Sequence, residues 1–374
     1  MHFGITTTTG IYPPESGGPA YFTQAFCDWQ SSVGMSPKVI TLTDQDSKVE
    51  YEGSIEIIRV TRKQPLLLRF FKTAILIRKK LRMGTNLLVA GCFLEAYIAT
   101  IGLKSTYVAK VPGDIVWERA RNSGKTKTNI QDFQHERINL KFSLLRFFYT
   151  KSLRRAKCVI TPSGELRDLC VKWGVELQKI KVVLNSVSLT DFYPQENVNK
   201  KYDVLSVGRL VPWKGNSELV RACHELNLSL AIAGSGNDYS ELLQLTKKLG
   251  AKVTFLGDLT KGQLLDLYNA SKYFVLNSMY EGTSHALLEA RACGTFAIAR
   301  KNVGSNSEVI SDNIDGLLFE TEELPTLLDA LKYATQEFKN PTEFSEVIRN
   351  DTALRFSQES TFPKIADLVL GSTE

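Results

Sequence analysis

The stretch YDVLSVGRLVPWKGNSELVRACHELNLSLAIAGSG, residues 202–236, decides the fold. A β-rich run over 202–207 ends at Gly208, an amphipathic stretch of helical length follows, and a second run over 229–233 ends at Gly234. Short strands alternating with helices predict a parallel sheet covered by helices. The scheme continues with strands expected over 252–256, 273–277 and 296–299, and chain-turning residues such as Gly257 and Ser278 follow them. Sheets of this kind bind ligands outside the carboxyl ends of their strands, so the functional residues of this half are expected in those loops.

Upstream the pattern repeats less cleanly, with strands expected over 2–6, 38–42, 56–60, 86–90, 106–109, 158–161 and 181–184. The polar segment 121–134 is expected to be a mobile loop, and FYPQENVNKK, residues 192–201, an exposed linker between two halves. A chain of 374 residues suits two domains. Its 43% apolar and 23% charged content excludes disorder and coiled coil.

The first residues lack a basic flank before a long apolar run and do not read as a signal peptide, and no stretch has the length of a membrane span. Six scattered cysteines without C-x-x-C spacing predict buried thiols in a reducing, cytoplasmic setting rather than zinc or disulfides. Charge is divided unevenly. Residues 1–195 carry 28 Lys+Arg against 16 Asp+Glu, a net of +12, and the remainder 18 against 24, a net of −6. No acid stands between Glu56 and Glu95, where nine bases from Arg59 to Arg82 interleave with leucine, isoleucine and phenylalanine. A second acid-free run, with seven bases, spans Arg137–Lys157. These runs predict an anionic membrane surface as a partner. They lack any recognisable nucleic-acid module, so nucleic acid is not expected.

Four constellations carry chemistry. In Glu281-Gly282-Thr283-Ser284-His285-Ala-Leu-Leu-Glu289 the glycine permits close backbone approach, Ser284 can cap a helix, and the helix N–H groups can receive a diphosphate. On the loop after 202–207, Arg209 and Lys214 can converge on a pyrophosphate, one as a fork and one as a point charge. Gly234-Ser-Gly236 is a fragment of a nucleotide loop. Ser16-Gly17-Gly18-Pro19 stands before an expected helix and lets backbone N–H groups approach a phosphate. Thr161-Pro162-Ser163 and Leu184-Asn185-Ser186 end strands and are expected beside the same site.

Together these motifs, with CVITPSGELRDLCVKWGV and KIKVVLNSVSLTDFYP in between, resemble the family-4 retaining glycosyltransferases, the "group 1" type. The resemblance spans nearly the whole chain and implies the α/β GT-B architecture: two facing Rossmann-like domains with parallel sheets and an interdomain cleft. Residues 1–195 would then bind the acceptor and 196–355 the donor, with a helix at about 356–374 crossing back to the first domain. It implies that Arg209 and Lys214 hold the donor pyrophosphate and that Glu281 contacts the sugar. Glu289 would hold the ribose, and the N–H groups around Thr283–His285 the distal phosphate. Gly17, Gly18, Gly208, Gly234, Gly236, Leu256 and Gly282 complete the donor site. It further implies retention at the anomeric carbon with no metal and no cofactor beyond the nucleotide sugar. The expected acceptor is a glycan or lipid-linked glycan in polysaccharide biosynthesis, met at the inner face of a membrane.

One departure is Lys110-Val-Pro-Gly-Asp114, where many relatives carry a histidine. Asp114 is therefore expected to touch the transferred sugar or acceptor hydroxyl, with His135 as a remoter candidate and an ordinary Pro-Gly-Asp turn as the structural alternative. Asp44-Gln-Asp46 imitates a metal-binding D-x-D but runs into Ser-Lys-Val-Glu, and is expected to be a solvated turn in a polar loop. The rival readings are a nucleotide-sugar epimerase of the same fold and a silent sugar-nucleotide or membrane-surface binding module.

Overall fold

The computed structural model describes residues 3–371 apart from 16, 105 and 322. Two compact units result: one comprises the residues up to Val183 together with those from Phe362 onward, and the other is Leu184–Thr361.

The first unit is built on an eight-stranded sheet. Its strands are β1 (Phe3–Thr8), β2 (Ser36–Thr43), β3 (Lys48–Glu52), β4 (Ile55–Thr61), β5 (Leu87–Val89), β6 (Val108–Lys110), β7 (Cys158–Thr161) and β8 (Ile180–Val182), in the order β3-β4-β2-β1-β5-β6-β7-β8. All neighbours are parallel except β3 and β4. Central strands such as β5 and β6 are buried along their whole length, as a sheet covered on both faces requires. Helix Gly18–Ser32 opens with Pro19 in its first turn and buries Phe22 and Phe26. Their rings meet Phe362 at 6.1 and 5.4 Å, and helix Gln358–Leu370 thereby closes this core with Phe362, Ile365, Ala366 and Val369.

The second unit has six parallel strands, β9 (Tyr202–Val207), β10 (Leu230–Ala233), β11 (Val253–Gly257), β12 (Ser271–Leu276), β13 (Phe296–Arg300) and β14 (Gly316–Phe319), in the order β11-β10-β9-β12-β13-β14. Two apolar clusters, one on each face, hold it to its helices. Fully buried Arg291 ties helix His285–Ala292 to Asp315 at 2.9 Å and to Asp351 at 2.8 Å.

Several expectations are corrected here. The polar loop after Asp46 is in fact edge strand β3, antiparallel to β4; Glu50 pairs with Lys48 and Arg59. Asp44 and Asp46 are exposed and face Arg62 at 3.1 Å and Lys63 at 3.7 Å. Segment 121–134 is not a free loop. Ile130 and Phe133 are buried, the Trp117 indole donates to Thr128 O at 3.1 Å, and the Thr126 and Thr128 hydroxyls donate to Glu136. The units part just after β8 rather than over 192–201, because Val187 and Phe192 already belong to the second unit's core. Strand β14 was not expected. His2, at the start of the first expected strand, and Ser16 lie outside the described residues.

Candidate active site

At the carboxyl end of β9 the chain passes through Gly208 and Arg209, buries Leu210, Val211 and Trp213, and makes one turn of 3₁₀ helix, Pro212–Lys214. Gly215 then leads into helix Asn216–Glu225. The buried residues anchor the loop, so its two cations stand on a fixed base, with the Arg209 guanidinium 5.7 Å from the Trp213 ring centroid. Gly234 and Gly236, after β10, have a steric reason: a Cβ on either would overlap the carbonyl oxygen of Gly208 or Leu210. The two loops can close on each other only without side chains there. Gly234 N also donates to Gly257 O at 2.7 Å, which places half-buried Leu256, at the end of β11, beside the same edge.

Beyond the end of β12, Asn277 locks this loop in place. Its amide donates to Gly215 O at 2.9 Å, while Arg300, the last residue of β13, donates to Asn277 O at 2.9 Å. Asn306 in turn donates to Arg300 O at 2.8 Å. Asn277, Arg300 and Asn306 are all buried, and their hydrogen bonds to backbone carbonyls tie the ends of β12 and β13 to this loop. Above it the Lys214 ammonium is ion-paired with the Glu281 carboxylate, at 16% and 13% side-chain exposure. Ser206, Gly208, Arg209, Lys214, Asn216 and Asn277 line a narrow depression here.

The segment from Glu281 to Glu289 is held from both sides. Gly282 O accepts from Ser305 N at 3.0 Å, and Thr283 O accepts from the Asn185 side chain at 2.9 Å. Ser284 caps helix His285–Ala292, its hydroxyl accepting from Leu287 N at 3.3 Å. The positive end of that helix therefore opens onto the Glu281 loop. Glu289 lies along the helix, and the Tyr268 hydroxyl donates to it at 2.8 Å. Burial pushes the Glu289 carboxyl up to about 6, against the downward pull of the Tyr268 hydrogen bond and of Lys261.

The expected donor residues of the second unit are thus gathered at the carboxyl ends of β9 to β12. Gly17, Gly18, Asp114 and His135 belong to the first unit. Gly17 immediately precedes helix Gly18–Ser32. Asp114 is 1% exposed, and its carboxylate accepts from Val116 N at 2.9 Å, Trp117 N at 3.0 Å and the Gln134 amide at 3.0 Å. It is the N-cap of helix Ile115–Asn122, which fits the structural-turn alternative. His135 is exposed. Thr161 and Ser163 are buried, and Ser163 caps helix Gly164–Lys172. Tyr268, Asn277 and Arg300 were not foreseen. A polar or charged residue closing an otherwise apolar strand, as in FAIAR, is the one signal that could have flagged Arg300.

Residues 190–351 match the family model described as "Glycosyl transferases group 1". The chain is 28% identical over 255 residues to the UDP-Gal:alpha-D-GlcNAc-diphosphoundecaprenol alpha-1,3-galactosyltransferase of Escherichia coli, covering 62% of this chain and 64% of that protein. It is 28% identical over 206 residues to the N-acetylgalactosamine-N,N'-diacetylbacillosaminyl-diphospho-undecaprenol 4-alpha-N-acetylgalactosaminyltransferase of Campylobacter jejuni, covering 53% of this chain and 56% of that protein. The chain therefore spans less than two thirds of either relative. Among solved structures, the sucrose-phosphate synthase of Thermosynechococcus elongatus matches with a TM-score of 0.79 at 18% identity. Anabaena Alr3699/HepE in complex with UDP matches with 0.76 at 17%. Both cover all of this chain and all of their own. The structural likeness establishes the GT-B fold, two Rossmann-like parallel-sheet domains, and within it residues 190–351 are similar to the group 1 glycosyltransferases.

Proposed function

We propose that the chain is a retaining, metal-independent hexosyltransferase that moves a sugar from a nucleotide-diphosphate donor to a glycan acceptor carried on a lipid diphosphate. The observation that carries this reading is the convergence of Arg209, the Lys214–Glu281 pair and the N-terminus of helix His285–Ala292 at one sheet edge. Arg209 and Lys214 neutralise the charge that grows on the departing diphosphate, where fixed donors act most strongly on a barrier. On donor binding Lys214 exchanges part of its contact with Glu281 for the diphosphate, which frees Glu281 to accept from sugar hydroxyls. Glu289 accepts from the ribose. Retention follows from return of the acceptor on the face the diphosphate leaves, its proton passing to a diphosphate oxygen. The donor is the only small molecule required.

The acceptor class is supported by the two relatives above, whose names specify diphospho-undecaprenol carriers. Among the described residues no helix is long and apolar enough to cross a membrane. The reading places the enzyme at the cytoplasmic face of a membrane, in polysaccharide assembly. A thermal-shift screen against uridine, guanosine and adenosine diphosphate sugars, followed by transfer to a polyprenyl-diphosphate saccharide, tests it. Stabilisation by one nucleotide sugar and its turnover on that acceptor are expected; no stabilisation and no donor consumption with any of them would sink the reading.

A further inference from the structure

The helices of the first unit that carry the two basic runs turn their apolar residues outward. In helix Leu66–Arg82 only Thr73, Ala74, Ile77 and Leu81 are buried. Leu67, Phe71 and Ile75, about one turn apart along an adjoining face, are 70%, 56% and 65% exposed. Helix Leu140–Arg155 repeats the arrangement: it buries Phe142, Tyr149 and Leu153, while Leu140, Leu144 and Phe147 are 75%, 48% and 51% exposed. Both stripes follow helical spacing, so each helix is apolar on two faces, and one of those faces meets solvent. Helix Phe93–Thr100 packs against both. Arg78 and Arg155, one from each flanking helix, donate to carbonyls at its C-terminal end, Ala99 O at 2.9 Å and Thr100 O at 2.9 Å. The three helices are thereby clipped into one surface.

The cations sort into two sets. Arg59, Arg62, Lys80, Arg78, Arg154, Arg155 and Lys157 are spent inside the fold, Lys80 on Glu56 and Arg154 on Trp173 O, for example. Lys72, Lys79 and Arg82 on the first helix and Lys141 and Lys151 on the second are exposed beside the apolar stripes. Neither helix contains an acidic residue. Large apolar side chains exposed in a row on two helices of one unit mark an interaction surface rather than the scattered single residues normal on a protein that stays in water. Its rim of flexible cations of a single sign fits a partner with a negative surface and an apolar interior.

We infer that the exposed faces of helices Leu66–Arg82 and Leu140–Arg155 form a docking surface for an anionic lipid bilayer, with leucine and phenylalanine side chains entering the headgroup boundary and lysines reaching the phosphates. The inference deepens the transferase reading and rests on it only for why the enzyme needs the membrane. Each cation near an anionic leaflet contributes about fivefold in affinity, and the apolar stripes add a part that salt does not screen.

Sedimentation with phosphatidylcholine vesicles, with and without phosphatidylglycerol, tests it on the full chain. Wild type is expected to pellet with the anionic vesicles and to be partly released by high salt. K72S/K79S/R82S is expected to lose about a hundredfold in affinity. L67S/F71S/I75S is expected to be released completely by high salt. Since all six substituted side chains are exposed, both variants should keep their melting temperature and donor hydrolysis. No binding of wild type to anionic vesicles at low salt overturns the inference, as does a stable dimer dispersed by L67S/F71S/I75S, which would make the face a contact between copies. Vesicle binding without donor turnover would keep the docking surface and remove the transferase reading.

Discussion

The Tyr268 hydroxyl donates to the Glu289 carboxylate at 2.8 Å, from one helix of the second unit to another. This bond favours the ionised acid in a place where burial opposes ionisation, and the carboxyl settles at about 6 instead of 4.5. Between those two values the folded chain holds more protons than the unfolded one. Stability therefore falls as pH rises through that window, by up to about 2 kcal/mol. Urea midpoints measured from pH 4 to 7 should show this decline, and E289Q should flatten it. If Glu289 receives the donor ribose as proposed, donor affinity should run the other way, since the ionised carboxylate is the better hydrogen-bond acceptor. Calorimetry should find the midpoint of that rise shifted to higher pH in Y268F.

On the proposed mechanism, replacing Lys214 by Ala removes one of the two cations assigned to the departing diphosphate. An increase of roughly 2–4 kcal/mol in the barrier is expected, a fall in kcat of about 30- to 900-fold. Steady-state kinetics at saturating donor would show it, with the melting temperature as control. Wild-type turnover in K214A would remove the lysine from the mechanism.

Asp114→Ala should act on stability rather than chemistry. It deletes the cap of helix Ile115–Asn122 and leaves the Gln134 amide without its carboxylate, at a cost of about 1–3 kcal/mol. Chemical denaturation checks the cost. A fall in kcat far beyond the loss of folded protein would instead return Asp114 to the reacting sugar.

Arg291→Ala should be the most damaging single change in the second unit. It strands Asp315, buried and accepting two guanidinium bonds at 2.9 and 3.0 Å, beside Asp351. Leaving a buried charge without its partner costs about 3–5 kcal/mol. Protease resistance of fragments from the second unit should drop while those of the first persist.

Activity should survive EDTA. Complete loss, restored by manganese, would contradict the metal-free reading and turn attention to Asp44 and Asp46.

What could be read without coordinates follows the reach of local physics. Apolar runs such as VITLT and FAIA announce strands because a doubly covered sheet demands them, and glycines at strand ends announce loops. Strand β3, Lys48–Glu52, escaped because an edge strand facing water carries no such run and owes its place to pairing with β4. Segment 121–134 looked mobile by composition, yet Ile130 and Phe133 are enough to pin it. Lys214 and Glu281 could be selected by motif, but nothing local reveals that 67 residues of chain fold back to join them. Tyr268, Asn277 and Arg300 matter only through partners distant in sequence. The capping role of Asp114 was legible only as an alternative, because a carboxylate after Pro-Gly looks the same whether it faces a ligand or caps a helix.

The helix Gln358–Leu370 that fills the core beside Phe22 and Phe26 also sets an order of events during synthesis. Domains usually fold as they leave the ribosome, the earlier one first. Here the earlier unit must wait, with an aromatic slot open, until the whole of the later unit has been translated. The later unit has no such dependence. The nascent chain thus carries a vacant, sticky groove for as long as the ribosome takes to make the intervening residues, and a chaperone that shields aromatics has its natural window there.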